Sequence, residues 1–288
     1  EVIDAEAAAG TLADPASLDF LLRLHGEFYR DAPDAMLLIE GPGRSFRMVP
    51  GMLRNDPLHD VAVGRHVPPG SDSVARFMTC FSERYSQRKL STSRRLLAIP
   101  AAHHRFNYIH PFPDGNGRVS RLMSHAMAHH AGIGAHGLWS ISRGLARGIA
   151  GRSEYKSMMD HADSPRQGDL DGRGNLSERA LTDFSEWFLQ VCLDQIRFME
   201  ELFDIDGLSS RIARYAQLKE WRPEASRLLV EVLHRGEIAR GDVATITGLG
   251  ERTARDLLAL LLRDGVLGSS SEKGRVGLRF TVDAQDIL

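Results

Sequence analysis

The sequence predicts a mainly helical protein built as two modules, and three observations lead there. Apolar residues recur at helical spacing through most of the chain, as in Leu181, Phe184, Phe188, Val191, Ile196, Met199 and Leu202. Residues 37–69 break that rhythm with glycines, prolines and short apolar runs, the pattern of a small β-hairpin. From about residue 223 the character changes again, to three short helical patterns followed by two apolar stretches around Ser269–Gly274.

Composition excludes several classes. The 288 residues exceed one typical domain and support a sizeable core. A hydrophobic share of 42% with 26% charged residues is that of an ordinary globular protein rather than a disordered or membrane chain. The net charge of −2 gives no chain-wide field toward nucleic acid or membrane, so any basic surface is local. Cys80 and Cys192 sit in apolar helical patterns without metal spacing, which reads as two buried free thiols in a reducing compartment. No apolar run reaches membrane length and no signal peptide opens the chain, so a cytoplasmic protein without a membrane partner is expected. The chain opens at Glu1, mid-pattern and without methionine, and residues before it are expected. Internal repeats are absent.

Taken in order, Leu18, Leu21, Leu22 and Phe28 follow a Pro15/Ser17 start signal and predict the first helix. Within 37–69, Val61-Ala-Val63 before Gly64 and Val67 before Pro68-Pro69 predict the strands of the hairpin. Helices resume with Val74, Phe77, Met78, Phe81 and Tyr85, and another runs from Ser93 to Tyr108 through Leu96, Leu97, Ile99 and Phe106. Shorter helices reach about Ala162, and residues 165–175 form a loop on composition. The long helix marked by Leu181 to Leu202 follows. In the last module the helices are 225–233, 240–246 and 252–263, with Gly248-Leu-Gly250 turning between the last two, and a hairpin occupies 267–282.

The chemistry concentrates in His110-Pro-Phe-Pro-Asp114-Gly-Asn-Gly-Arg118-Val-Ser-Arg121. Gly115 and Gly117 let backbone approach a ligand, and Asn116 tolerates turn conformations. Val119, Leu122, Met123 and Ala126 then run at helical spacing, so the turn opens into a helix whose first N–H groups and positive dipole end make an anion site. Arg118 and Arg121 lie in its first turn, where a solvated helix favours acids, and this placement calls for an anionic ligand; for Arg121 a salt bridge to a neighbouring helix is the alternative. His110 is the candidate general base, against a structural hydrogen-bonded histidine. Asp114 suits a magnesium ion on phosphates, or a turn cap, or both. Gly115, Asn116 and Gly117 offer backbone N–H donors, with the Asn116 side chain as a further phosphate donor, and Phe112 reads as the anchor of the loop. His103, His104, His125, His129 and His130 read as packing or surface residues, since a His-x-x-His zinc site lacks Cys or closely spaced acidic partners.

His-x-Phe-x-Asp-Gly-Asn-Gly-Arg-x-x-Arg resembles the signature of the Fic family, with every defining position present. The resemblance is specific at 110–121 and extends loosely over about 15–205. It implies a Fic-type helical bundle and a protein adenylyltransferase that moves AMP from ATP to a hydroxyl of a target protein with Mg2+. It assigns His110 to catalysis, Asp114 to the metal, and Gly115, Asn116, Gly117, Arg118 and Arg121 to the ATP phosphates. It implies a flap, about 43–69, that pairs with an extended segment of the target, and it offers Tyr155 as an adenine-side contact. The inhibitory Ser/Thr-x-x-x-Glu-Gly/Asn string of many Fic proteins does not occur between Glu1 and Leu288. The last module resembles a winged helix-turn-helix, for DNA or a protein partner. The expected organisation is an N-terminal helical segment 1–36, a catalytic core 37–205, a linker helix 206–222 and the winged helix 223–288, with a homo-oligomer left open. The alternative function is a nucleotide-sensing, DNA-binding regulator, to which Arg240, Arg252, Arg255, Arg263, Lys273, Arg275 and Arg279 would contribute phosphate contacts.

Overall fold

The computed structural model describes residues 2–41, 43–203, 205–269, 271 and 274–279. The chain divides into two compact units, residues 1–196 and 197–288. No helix among the described residues is long and apolar enough to cross a membrane.

The first unit begins with α1 (Val2–Ala8) and α2 (Leu18–Phe28). The Ser17 side chain caps α2 by accepting from the Phe20 N–H at 3.3 Å, as its Pro15/Ser17 signal predicts. One turn of helix, α3 (Asp34–Leu37), leads into a hairpin of β1 (Leu38–Gly41) and β2 (Arg44–Arg47), antiparallel with Ile39 opposite Phe46 and Glu40 opposite Ser45. The hairpin therefore precedes the Val61–Val67 stretch that was expected to form it. There the structure has only an isolated bridge, Val63 to His66. Gly64-Arg65 makes the tight turn inside that bridge, and Pro68-Pro69 ends any further ladder.

In α4 (Ser71–Tyr85), Val74, Met78 and Phe81 are buried one turn apart. Cys80, expected inside, is exposed because it falls on the opposite face of that helix, whereas Cys192 is buried and its thiol is pushed up to about 12 by burial. Helix α5 (Thr92–Ile109) buries Ile99, Ala102 and Phe106, and α6 (Asn116–His130) packs along it with Val119, Met123 and Met127. Two short helices follow, α7 (Ile141–Arg147) and α8 (Glu154–Ala162). Then α9 (Glu178–Phe203) buries Phe184, Phe188 and Val191, the i, i+4, i+7 stripe read from the sequence.

The second unit has its own core. Helices α10 (Ile205–Leu218) and α11 (Pro223–Arg235) pack together, so the segment 206–222 joins this unit. After β3 (Glu237–Ile238), helices α12 (Val243–Thr247) and α13 (Glu251–Arg263) flank the Gly248–Gly250 turn. Strands β4 (Leu267–Gly268) and β5 (Val276–Leu278) complete an antiparallel sheet in the order β3-β5-β4. Ala254, Leu257, Leu258 and Leu261 of α13 meet Leu228, Leu229, Ile238 and Val276 in the core. The predicted last strand extends beyond residue 279, outside the described residues.

Phe112 is fully buried, stacked on His25 with ring centroids 4.0 Å apart and tilted against Phe106 at 6.2 Å. It holds the loop between α5 and α6 in the core. Phe112→Ala should lower the unfolding free energy by about 3–5 kcal/mol, the usual loss for a buried phenylalanine, as measured by urea denaturation.

Candidate functional site

Helix α5 ends where it does because His110 leaves the right-handed region, at φ 51° and ψ 59°, and Pro111 cannot continue a helix. A left-handed histidine stores about 1–3 kcal/mol of strain and persists only where its surroundings hold it. Arg54 holds it. Its side chain is fully buried and forks across three carbonyls: Nε donates to His110 at 2.7 Å, and one terminal nitrogen donates to Pro69 at 2.9 Å and Ile109 at 3.2 Å. The other terminal nitrogen pairs with the Asp60 carboxylate at 2.7 Å, and the Arg54 backbone N–H reaches the Pro111 carbonyl at 2.8 Å.

The His110 ring lies with Nδ1 3.3 Å from the Asn107 carbonyl oxygen. A carbonyl only accepts, so Nδ1 carries the proton and Nε2 keeps its lone pair. Burial pulls the imidazole down to about 4; the Asn107 carbonyl opposes this, and the Arg54 and His66 charges reinforce it. The ring is therefore neutral at pH 7, half-buried, and basic at Nε2.

The loop closes on itself through Asn116. Its side-chain oxygen accepts from the Phe112 N–H at 2.9 Å and its amide donates to the Phe112 carbonyl at 2.7 Å, with the residue buried. The side chain expected to reach a phosphate is thus turned inward, because the Pro-flanked loop leaves both Phe112 backbone groups without a ladder or helix partner. What Asn116 and Gly117 offer a ligand is their backbone N–H groups, which have no acceptor among the described residues. Gly115 precedes them at φ 81°, and a Cβ there would fall 2.9 Å from the Tyr29 ring, so glycine is required on both counts.

Asp114 and Arg118 face each other. The Asp114 Oδ2 accepts from Arg118 at 2.6 Å and from the Tyr29 hydroxyl at 2.6 Å. Burial alone would raise this carboxyl, but the Tyr29 hydroxyl, the Gly115 N–H and the Arg118 guanidinium together hold it below its ordinary value. It is an ionised oxygen donor, the ligand type magnesium takes, and so fits the metal role the motif implies. Arg118, assigned from sequence to phosphates, also lies over the Phe28 ring at 4.6 Å and the Tyr29 ring at 5.2 Å. Arg121 differs. It makes no hydrogen bond or ion pair among the described residues, so the salt bridge weighed for it is not formed, and one of its terminal nitrogens lies 3.3 Å from where Gly117 would carry a Cβ. Arg118 and Arg121 line a cavity of about 650 Å³ together with Asp4, Arg23, His125 and Trp139. His110 and Asp114 stand outside its lining.

Sequence reasoning missed the residues that support the motif from a distance. Tyr29 and His25 come from α2: His25 accepts from the Gly51 N–H at 2.8 Å and donates to the Asp114 carbonyl at 3.2 Å. Neither carries a local signal. The hydroxyl of Tyr155, the residue offered as an adenine-side contact, is turned in to His103 Nε2 at 2.9 Å, and its ring stacks near Trp187.

The described elements define a helical domain whose polar turn, between consecutive packed helices, presents a base, a carboxylate and unpartnered cationic and N–H donors. Residues 15–128 match the family model of the Fic/DOC family. A stretch of 75 residues is 43% identical to protein adenylyltransferase Fic of Drosophila ananassae, and one of 74 residues is 38% identical to the protein of that name from Drosophila erecta. These stretches are 26% of this chain and 15% of each relative, so the match spans a small part of the curated relatives. Among solved structures, a Fic family protein from Desulfovibrio desulfuricans is similar over 97% of this chain and 73% of its own, at 18% identity and a TM-score of 0.45. A Fic domain containing signaling protein from Bacteroides thetaiotaomicron is similar over 69% and 66%, at 16% identity and a TM-score of 0.46.

Two outcomes follow from the Arg54–His110 arrangement. Burial lowers His25 and His110 to about 4 and His103 to about 3. The unfolded chain protonates all three near the ordinary 6.5, so it binds more protons than the fold as pH drops below that value. Stability contributed by these groups is complete above about pH 7 and declines from there toward pH 4. NMR titration of the His110 ring should show it neutral to below pH 5, and urea midpoints should fall from pH 7 to pH 5. Arg54→Gln should cost at least about 1–3 kcal/mol, the penalty for a buried acceptor left unpaired, and should reduce any activity that depends on His110 by about 100-fold through misplacement of the ring.

Proposed function

We propose that this chain is a protein adenylyltransferase, moving AMP from ATP to a Ser, Thr or Tyr hydroxyl of a target protein. The observation that carries this reading is the neutral His110 on the loop that leads into α6, at whose start the N–H groups of Asn116 and Gly117 and the Arg121 side chain have no hydrogen-bond partner among the described residues. The target hydroxyl oxygen attacks the α-phosphorus and its proton passes to His110 Nε2. The bond from the α-phosphorus to the bridging oxygen breaks, and pyrophosphate leaves. The helix start and Arg121 stabilise the charge on the phosphate oxygens, the main requirement of such transfers. Asp114 would hold Mg2+ on the nucleotide, which supplies charge neutralisation when bound.

The target is read as an added strand on the β1–β2 hairpin, a two-stranded sheet that leaves edges unpaired among the described residues. That hairpin is tied to the base by charged contacts. Arg44 donates to the Asp60 carbonyl, Asp60 pairs with Arg54, and Arg54 donates to the His110 carbonyl. The resemblance of the second unit to a winged helix-turn-helix is supported by its helix–turn–helix pair and three-stranded sheet, and a protein contact suits its surface better than DNA. Arg255 pairs with Glu251 at 2.9 Å, while Arg240 and Arg275 donate to backbone carbonyls of the unit itself.

The test is incubation of the chain and a cell lysate with ATP labelled at the α- or the γ-phosphate. Label on protein from the α-phosphate alone supports AMP transfer; label from the γ-phosphate, or nucleotide binding without label, overturns it. His110→Ala should reduce α-labelling by about 10²–10⁴-fold, and calorimetry should show ATP affinity changed by no more than a few-fold. Full labelling by this variant would remove His110 from the reaction.

A further inference from the structure

His125 and His129 lie four residues apart on α6, on one face, and their Nε2 atoms converge on the Oδ1 of Asp4 from α1, at 2.7 and 2.9 Å. The sequence alone gave this histidine pair no acidic partner, because the carboxylate comes from more than a hundred residues away. The three ligand atoms all lie within 4.8 Å of one another. The two imidazoles stand edge to face with centroids 4.9 Å apart. Gly134 leaves the room this pose needs, since a Cβ there would fall 2.3 Å from the His129 Nδ1. Asp4 and His125 also line the cavity of about 650 Å³, alongside Arg121 and Trp139.

We propose that Asp4 Oδ1, His125 Nε2 and His129 Nε2 form a zinc site whose fourth position opens into this cavity. Two imidazoles and one carboxylate are a ligand set that Zn2+ takes where it keeps one position for water or another ligand. Ligand atoms around a tetrahedral ion with bonds of about 2.0–2.1 Å stand roughly 3.3 Å apart, so the two Asp4–imidazole spacings of 2.7 and 2.9 Å would open by about half an ångström and the two imidazole nitrogens, within 4.8 Å of each other, would turn toward the ion. The Asp4 oxygen that both histidines now meet would instead face the ion, and each imidazole would bind through Nε2 with its remaining proton on Nδ1, any second proton being released. The ion would bridge α1 and α6 one helical turn beyond Arg121, in the wall of the cavity. This site stands apart from the Asp114 position, whose carboxylate is fixed by Tyr29 and Arg118 rather than by imidazoles. The inference does not depend on the transfer activity.

The experiment uses the whole chain without a histidine tag, stripped with a chelator and dialysed, then titrated with zinc against a chromogenic zinc indicator. The expected result is one zinc per chain with a Kd in the micromolar range or tighter, together with a zinc-dependent rise in Tm. His129→Gln and Asp4→Asn should each weaken binding by about 100-fold or more, the upper end of what is lost when even an outer partner of a metal ligand is removed. His161→Gln, which breaks the exposed His161–Asp183 pair at 2.9 Å, should leave it unchanged. Cobalt added to the stripped wild type should give the visible bands of a tetrahedral site, a readout that needs no variant to fold. Absence of stoichiometric zinc, or binding retained in both cluster variants, overturns the proposal and leaves the three residues as a hydrogen-bonded clamp between helices.

Discussion

A single buried guanidinium fixes the geometry on which the candidate site rests. Arg54 is the largest fully buried side chain, and its donors are committed to the carbonyls of Pro69, Ile109 and His110 and to the Asp60 carboxylate. Burying that charge is unfavourable unless every donor is matched, and burial does draw the guanidinium below its usual value while Asp60 opposes it. Because the match includes the carbonyls of Ile109 and His110, the last turn of α5 cannot relax without orphaning a charge. The left-handed His110 backbone, the direction of its ring and the start of the following loop all follow from that fork.

Around this anchor the motif is supported from outside itself. Asn116 closes the loop onto Phe112, Phe112 is clamped between His25 and Phe106, and His25 in turn holds the carbonyl of Asp114. Each link is a packing or hydrogen-bond contact that leaves the outward N–H groups of the helix start unchanged. The polar face of the turn is available to a ligand because the inward face is fully occupied. Preorganisation of this kind is what transfer at phosphorus requires of a protein, since positioning and charge placement do most of the work.

The sequence made the helices and the motif legible because both are local. The spacing of Phe184, Phe188 and Val191 declares a buried face, and a glycine-flanked turn before Val119 and Met123 declares a helix start. What it hid depends on contacts distant in the chain. Tyr29 meets Asp114 across 85 residues and Arg54 meets His110 across 56, and nothing in either neighbourhood marks the pairing. The hairpin was misplaced because the valines at 61, 63 and 67 read as short strand stretches, whereas Leu38–Arg47, split by glycines, carries the ladder. Asn116 was legible as a residue but not as a rotamer: a free amide and a loop-closing amide have the same sequence.

The Asp114–Arg118 pair shapes how ligands of different charge meet this turn. Two opposite charges 2.6 Å apart largely cancel beyond a short distance. An anion drawn to Arg118 alone exposes Asp114, and a cation drawn to Asp114 alone exposes Arg118, so each by itself meets a like charge that had been masked. A ligand that carries both signs exchanges one neutral arrangement for another. The pair thus couples the two charges thermodynamically: cation and anion each bind more tightly once the other is present, and the turn discriminates against either arriving alone.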